Sequence, residues 1–268
     1  MVFKHCLDAP SGLDARMCQN IFKSAMGITL MLSGLSLVLL AYNEEQVIAR
    51  MISSAAAMGG KVAGKHEVVV VCFEGSTDKT NSIATGMAAA DKSIRVVMQP
   101  ASQRGYGVAL RLGLEAAKYD YVFYTDADGQ FDIAEMPALL PYLGDFDIVS
   151  GYRMKRKDPF GRIMSSRVYN LLIRLLFGLR MRDIDSAFKV YRREIFGAFR
   201  IGSVGGLVDA EILVKARNHG FRIKEVPIHH YPRFAGKSNY GTGFIKPSVI
   251  LGVFREIRML WKELRKGG

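Results

Sequence analysis

The stretch YVFYTDADGQFD, residues 121–132, runs from an apolar and aromatic segment straight into two carboxylates, Asp126 and Asp128, one residue apart. A short, continuously apolar run fits a strand buried on both faces, as in a parallel sheet. In such sheets ligands bind just beyond the carboxyl ends of the strands, and that is where this run delivers its two anions. Hard carboxylate oxygens there suit Mg2+ or Mn2+, ions that keep positions open for phosphate oxygens. Gln130 follows, where its amide oxygen adds a ligand or orients a water. Asp-Ala-Asp-Gly is also good turn chemistry in its own right; its place behind a buried strand is what favours a metal.

Working outward, strand and helix patterns alternate. LSLVLLA (35–41) leads into a helix from Glu44, and HEVVVVCF (66–73) into one beginning within residues 76–90. SIRVVM (93–98) is followed by a glycine-containing loop, the helix GVALRLGLEAAK (107–118) and the strand at 119–126. This order predicts an α/β fold, a Rossmann-like, mostly parallel sheet flanked by helices. Beyond Gly129, strands are expected at 145–153 and 222–230, and basic amphipathic helices at 161–183 and 243–268. The chain thus divides into an extension (1–34), a core domain (35–240) and a C-terminal basic amphipathic helix (241–268).

With 268 residues, 49% of them hydrophobic, the chain buries a sizeable core without disulfides or structural metal. Its three cysteines, Cys6, Cys18 and Cys72, are scattered without a CxxC pair, which fits a reducing cytoplasm. The +12 net charge calls for an anionic partner. Nucleic acid is not supported, because charge stands alone without a recognition motif. Ser24 to Tyr42 carries no charge and is long enough to cross a bilayer. Its second half reads as a strand, however, and Gly27, Ser33 and Gly34 dilute the first, so we read an apolar arm before a strand.

Several segments in order resemble the family 2 glycosyltransferases of the GT-A fold, in the branch of dolichol- and polyprenyl-phosphate mannosyltransferases. They are AYNEE (41–45), GSTDKT (75–80), RGYGVALRLGLEAA (104–117), DADGQ (126–130), GYR (151–153), RDIDSAFKVYRRE (182–194) and EVPIHHYPRFAGKSNY (225–240). The resemblance implies transfer of a sugar, with inversion, from a nucleotide-diphosphate donor. Asp126, Asp128 and Gln130 would hold the cation on the diphosphate. Tyr42, Glu44, Glu74, Ser76, Asp78 and Gly105 would line the donor site. The family usually carries Asp-Asp before Gly-Ser, whereas this chain has Phe73 and Glu74, a departure that leaves the nucleotide open.

For the acceptor, Asp183 and Ser186 match the family pattern, while Lys189 stands where Arg is usual. Arg153, Lys189, Arg233 and Lys237 are expected to gather around phosphates, Arg as a bidentate fork and Lys as a point charge. Asp209 is a candidate base for a hydroxyl acceptor; a phosphate acceptor needs none. The two greasy, basic helices suit a bilayer interface with cations near lipid phosphates, and equally suit core packing or self-association into a homo-oligomer. The leading expectation is a metal-dependent transferase acting on a polyprenyl phosphate, peripheral to the inner face of the cell membrane. The alternatives are a GT-A transferase to a sugar, lipid or protein hydroxyl, and a non-catalytic nucleotide-sugar-binding protein.

Overall fold

A computed structural model describes residues 31–154, 160–233 and 247–266. Seven strands form one sheet in the order β3-β2-β1-β4-β6-β5-β7. They are β1 (Leu35–Ala41), β2 (His66–Phe73), β3 (Ile94–Gln99), β4 (Tyr121–Asp126), β5 (Ile148–Met154), β6 (Phe188–Arg192) and β7 (Ile223–His229). The helices are α1 (Ile48–Val62), α2 (Thr80–Ala90), α3 (Tyr106–Ala116), α4 (Phe160–Phe177), the single turn α5 (Ile195–Ala198), α6 (Val208–Asn218) and α7 (Pro247–Lys266).

β1 lies at the centre, parallel to both β2 and β4, and all seven of its residues are buried. Helices cover both faces of such a strand, which is why it has no polar alternation. Of the uncharged run from Ser24 to Tyr42, the part among the described residues is therefore mostly strand, with Leu32 bridged to Ala63 just before it. Among the described residues no helix is long and apolar enough to cross a membrane. Cys72 is fully buried in β2, and burial pushes its thiol up to about 12.

The chain moves from β1 outward to β2 and β3, then returns across the sheet to β4. The carboxyl ends of β1 and β4 therefore flank the point where strand order reverses, the usual crevice for ligands in open α/β sheets. Ala127 N–H donates to the Leu40 carbonyl at 2.9 Å and closes the two ends together.

β6 was not expected from sequence. It runs antiparallel between β4 and β5, pairing Thr125 with Phe188 and Ile148 with Tyr191. Its direction carries residues 183–187, which precede it, to the same carboxyl edge as Asp126.

Candidate active site

Three strand ends and the approach to β6 build the site. Asp126 is the last residue of β4, and its Oδ1 accepts from the Tyr106 hydroxyl at 3.0 Å. Two residues on, Asp128 Oδ1 accepts from the Gln130 amide at 3.0 Å, and Gly129, at φ 72°, allows the turn. Burial, and then the Asp128 charge beside it, pushes the Asp126 carboxyl up to about 8. The Gln130 side-chain nitrogen donates to the Tyr231 carbonyl at 3.3 Å, and Tyr231 N–H returns a bond to the Gln130 carbonyl at 2.9 Å. Gln130 thus clasps the segment after β7 to the acidic loop.

Among the described residues no three His, Cys, Asp or Glu side chains gather to hold a metal by themselves. A lone carboxylate pair fits Mg2+ or Mn2+ in the manner of phosphate-bridging sites, where one or two carboxylates hold the ion and substrate oxygens and water complete its shell.

The ends of β1 and β2 are locked to each other. Asn43, at φ 57°, accepts from Thr77 N–H at 2.8 Å. Glu44 N–H donates to Thr80 Oγ1 at 2.7 Å, and the buried Glu44 carboxylate pairs with Arg233. Asp78 accepts from the Thr80 amide and hydroxyl and from Glu45 N–H. Burial works to raise the Asp78 carboxyl, but these bonds, led by the Thr80 hydroxyl, hold it below its usual range.

Tyr42 meets the Phe73 ring edge-on at 5.5 Å, and the Arg104 guanidinium lies over both rings. Where the family usually places an acid, Phe73 thus completes an aromatic and cationic wall. Gly75 makes room for it, since a Cβ there would meet the Phe73 ring at 2.4 Å. Glu74 turns to the chain after β3, accepting from Ala101 N–H at 2.9 Å. Ser76 Oγ is buried without a hydrogen-bond partner among the described residues.

Three expected phosphate-gathering cations can be placed, and each already holds a carboxylate. Arg153 grips Asp183 with both arms of its fork, at 2.6 and 2.7 Å. Arg233 takes Glu44. Lys189 is fully buried, donating to Asp209 at 2.7 Å and to the Ser186 carbonyl. Lys189 is therefore not a surface point charge: the antiparallel β6 turns it into the core, where only a matching anion makes its burial tolerable. Asp209, 3% exposed, also accepts the Tyr124 hydroxyl at 2.7 and 2.9 Å. Tyr124 in turn adjoins Tyr106, so a buried polar chain runs from Lys189 through Asp209, Tyr124 and Tyr106 to Asp126. Ser186 is buried nearby, its hydroxyl without a hydrogen-bond partner among the described residues. Lys237 lies outside the described residues.

Sequence reading passed over Asp185. Arg153 and Lys189 balance Asp183 and Asp209, whereas Asp185 Oδ1 is buried without a hydrogen-bond partner among the described residues. Burial, then the Asp209 charge, pushes Asp185 up to about 7, against the pull of Arg153 and Lys189. In an unfolded chain its carboxyl ionises near 4. Between these values the unfolded chain has released a proton that the folded chain keeps, so the contribution of Asp185 to stability falls as pH rises from about 4 to about 7 and then levels off. Asp185→Asn is expected to lack that fall. It should match the parent near pH 4 and exceed it by about 4 kcal/mol at pH 8 in urea unfolding. Parallel pH profiles for the two chains would count against this assignment.

The sequence profile of Glycosyl transferase family 2 matches residues 36–199. The chain is 32% identical over 228 residues to dolichyl-phosphate hexose transferase of Haloferax volcanii, covering 79% of this chain and 92% of that protein. It is 31% identical over 238 residues to glycosyltransferase AglD of the same organism, covering 85% of this chain but spanning only 37% of AglD. Among solved structures, glucosyl-3-phosphoglycerate synthase from Mycobacterium tuberculosis, in complex with Mn2+, UDP and glucosyl-3-phosphoglycerate, superposes with a TM-score of 0.64 at 21% identity. That match covers 93% of this chain and 85% of the other, and identifies the fold as GT-A. The chain belongs to family 2 of the glycosyltransferases.

Proposed function

We propose that the chain transfers a sugar, with inversion, from a nucleotide-diphosphate donor to a polyprenyl phosphate at a membrane surface. The observation that carries this reading is the Asp126–Asp128 pair at the β1/β4 reversal, beside the Tyr42–Phe73–Arg104 wall. The wall offers a nucleoside an aromatic face and a cation. A Mg2+ or Mn2+ ion on the two carboxylates would offset the charge that builds on the departing diphosphate. The acceptor phosphate is already an anion, so its oxygen attacks the anomeric carbon from the side opposite the leaving group without a base. In this reading Asp209 serves as the buried partner of Lys189 and takes no proton. The Haloferax relative named for dolichyl phosphate supports the acceptor class.

Two helices support the membrane surface. On α4, Tyr169, Ile173 and Phe177 face the core, while Met164, Val168, Leu171 and Leu175 form an exposed stripe at helical spacing beside Arg167 and Arg174. On α7, Ile257 and Leu260 are buried, whereas Leu251, Phe254 and Trp261 lie outward with Arg258 and Arg265. Exposed apolar side chains interleaved with cations match a peripheral helix at an anionic bilayer, here on the cytoplasmic side. A groove of about 620 Å³ at the end of α4, with Arg180, Arg182, Arg217 and Lys224 in its lining, extends the basic surface.

The test combines Mn2+, a panel of nucleotide sugars and anionic vesicles with or without polyprenyl phosphate. Slow donor hydrolysis should accelerate by about a hundredfold or more when the lipid phosphate is present, and the protein should float with the vesicles. Donor use that ignores the lipid phosphate would rule out the acceptor; protein left in the supernatant would rule out the membrane surface.

A further inference from the structure

Asp126 is tied to the C-terminal helix by a continuous set of contacts through the 202–207 loop and the start of α3. The Glu256 carboxylate on α7 accepts from Val204 N–H at 2.9 Å, Gly205 N–H at 2.6 Å and Leu207 N–H at 3.3 Å. Glu211 on α6 takes the two preceding amides, Gly202 at 2.8 Å and Ser203 at 2.7 Å. Five amides of the 202–207 loop are thus spent on two carboxylates, and the loop has little freedom left. Lys215 joins the two helices by pairing with both Glu211 and Glu263 at 2.7 Å.

The loop in turn presses on the start of α3. A Cβ on Gly105 would lie 2.3 Å from the Val204 carbonyl oxygen, and one on Gly107 would lie 2.4 Å from that of Ser203. Only glycine permits this approach, and Gly107 N–H donates to the Val204 carbonyl at 2.9 Å. Tyr106 sits between those glycines and donates to Asp126.

We infer that Glu256 is a positioning residue for the acidic pair: by gathering the loop amides it fixes the start of α3, and so holds Tyr106 against Asp126. The helix that carries the outward apolar face thereby also sets the geometry of the site. This rests on the reading of Asp126 and Asp128 as metal ligands only at its last link.

The experiment uses the full chain and Mn2+ alone, with bound ion measured by electron paramagnetic resonance well below the melting temperature. Trp261, the sole tryptophan and a residue of α7, reports by its emission whether the helix is docked. Glu256→Ala should weaken Mn2+ binding on the order of tenfold, at the low end for supporting partners of metal ligands. Glu256→Gln keeps an acceptor oxygen and the shape of the side chain, so it should retain the parent Trp261 emission while losing affinity to a smaller degree. Tyr106→Phe should lose a similar factor, and Tyr106→Phe combined with Glu256→Gln should bind no more weakly than the weaker single variant, because both act on one path. A role in stability alone would lower the melting temperature but leave Mn2+ affinity unchanged. Parent-like affinity in both Glu256 variants, or losses that add in the double variant, would overturn the coupling. A parent protein that binds no Mn2+ would overturn the metal reading and this inference with it.

Discussion

Asp128→Asn is expected to cut donor turnover by about a thousandfold, the scale on which single electrostatic stabilisers act in transfer reactions. The reason is the difference between the two jobs of this side chain. Its Oδ1 accepts the Gln130 amide and closes the turn, and asparagine retains an oxygen for that bond. What asparagine lacks is the negative charge that a divalent ion and its diphosphate require. Folding should therefore survive, with an unchanged circular dichroism spectrum and a melting temperature near the parent's, while donor hydrolysis collapses. Turnover within threefold of the parent, measured at saturating Mn2+, would remove the pair from the reaction.

Lys189→Met is expected to destabilise the fold by about 3–5 kcal/mol, the usual consequence of removing one member of a buried ion pair. Lys189 is fully buried and donates to Asp209, which is 3% exposed. Methionine fills the space, but it leaves an anion in the core whose remaining side-chain hydrogen-bond donor among the described residues is the Tyr124 hydroxyl. The melting temperature should fall by about 10 °C. Adding Asp209→Asn should restore part of the loss, because the stranded charge goes with it. Urea unfolding of the two variants checks both statements. A Lys189→Met chain within 1 kcal/mol of the parent would show that the pair matters little to stability.

The β-α alternation of the first half was legible because parallel strands covered on both faces must be apolar throughout, as LSLVLLA and HEVVVVCF are. The acidic pair was legible from its position behind such a strand. β6 was not, because its five residues set Lys189 and Arg192 among Phe188, Val190 and Tyr191. That mixture reads as a surface until the partner of Lys189 is known, and the partner stands twenty residues further on in another element. Asp185 was hidden for a similar reason. Nothing in RDIDS distinguishes an acid held in an arginine fork, Asp183, from one whose buried Oδ1 has no hydrogen-bond partner among the described residues, Asp185. Glu256 has nothing in sequence to set it apart within a basic amphipathic helix, and only the folded chain brings three amides to it.

The reversed direction of β6 has a consequence for how such a protein can diversify. β5 ends and β6 begins at one rim of the sheet, and pairing on both sides pins each of them. Of the residues between them, the described stretch 160–187 carries α4 and returns to that rim at Phe188. A stretch pinned at both ends in this way is where a change of length is expected to cost least, so long as the core contacts of Ile173 and Phe177 are kept, because the pairing of β1 to β4 does not depend on it.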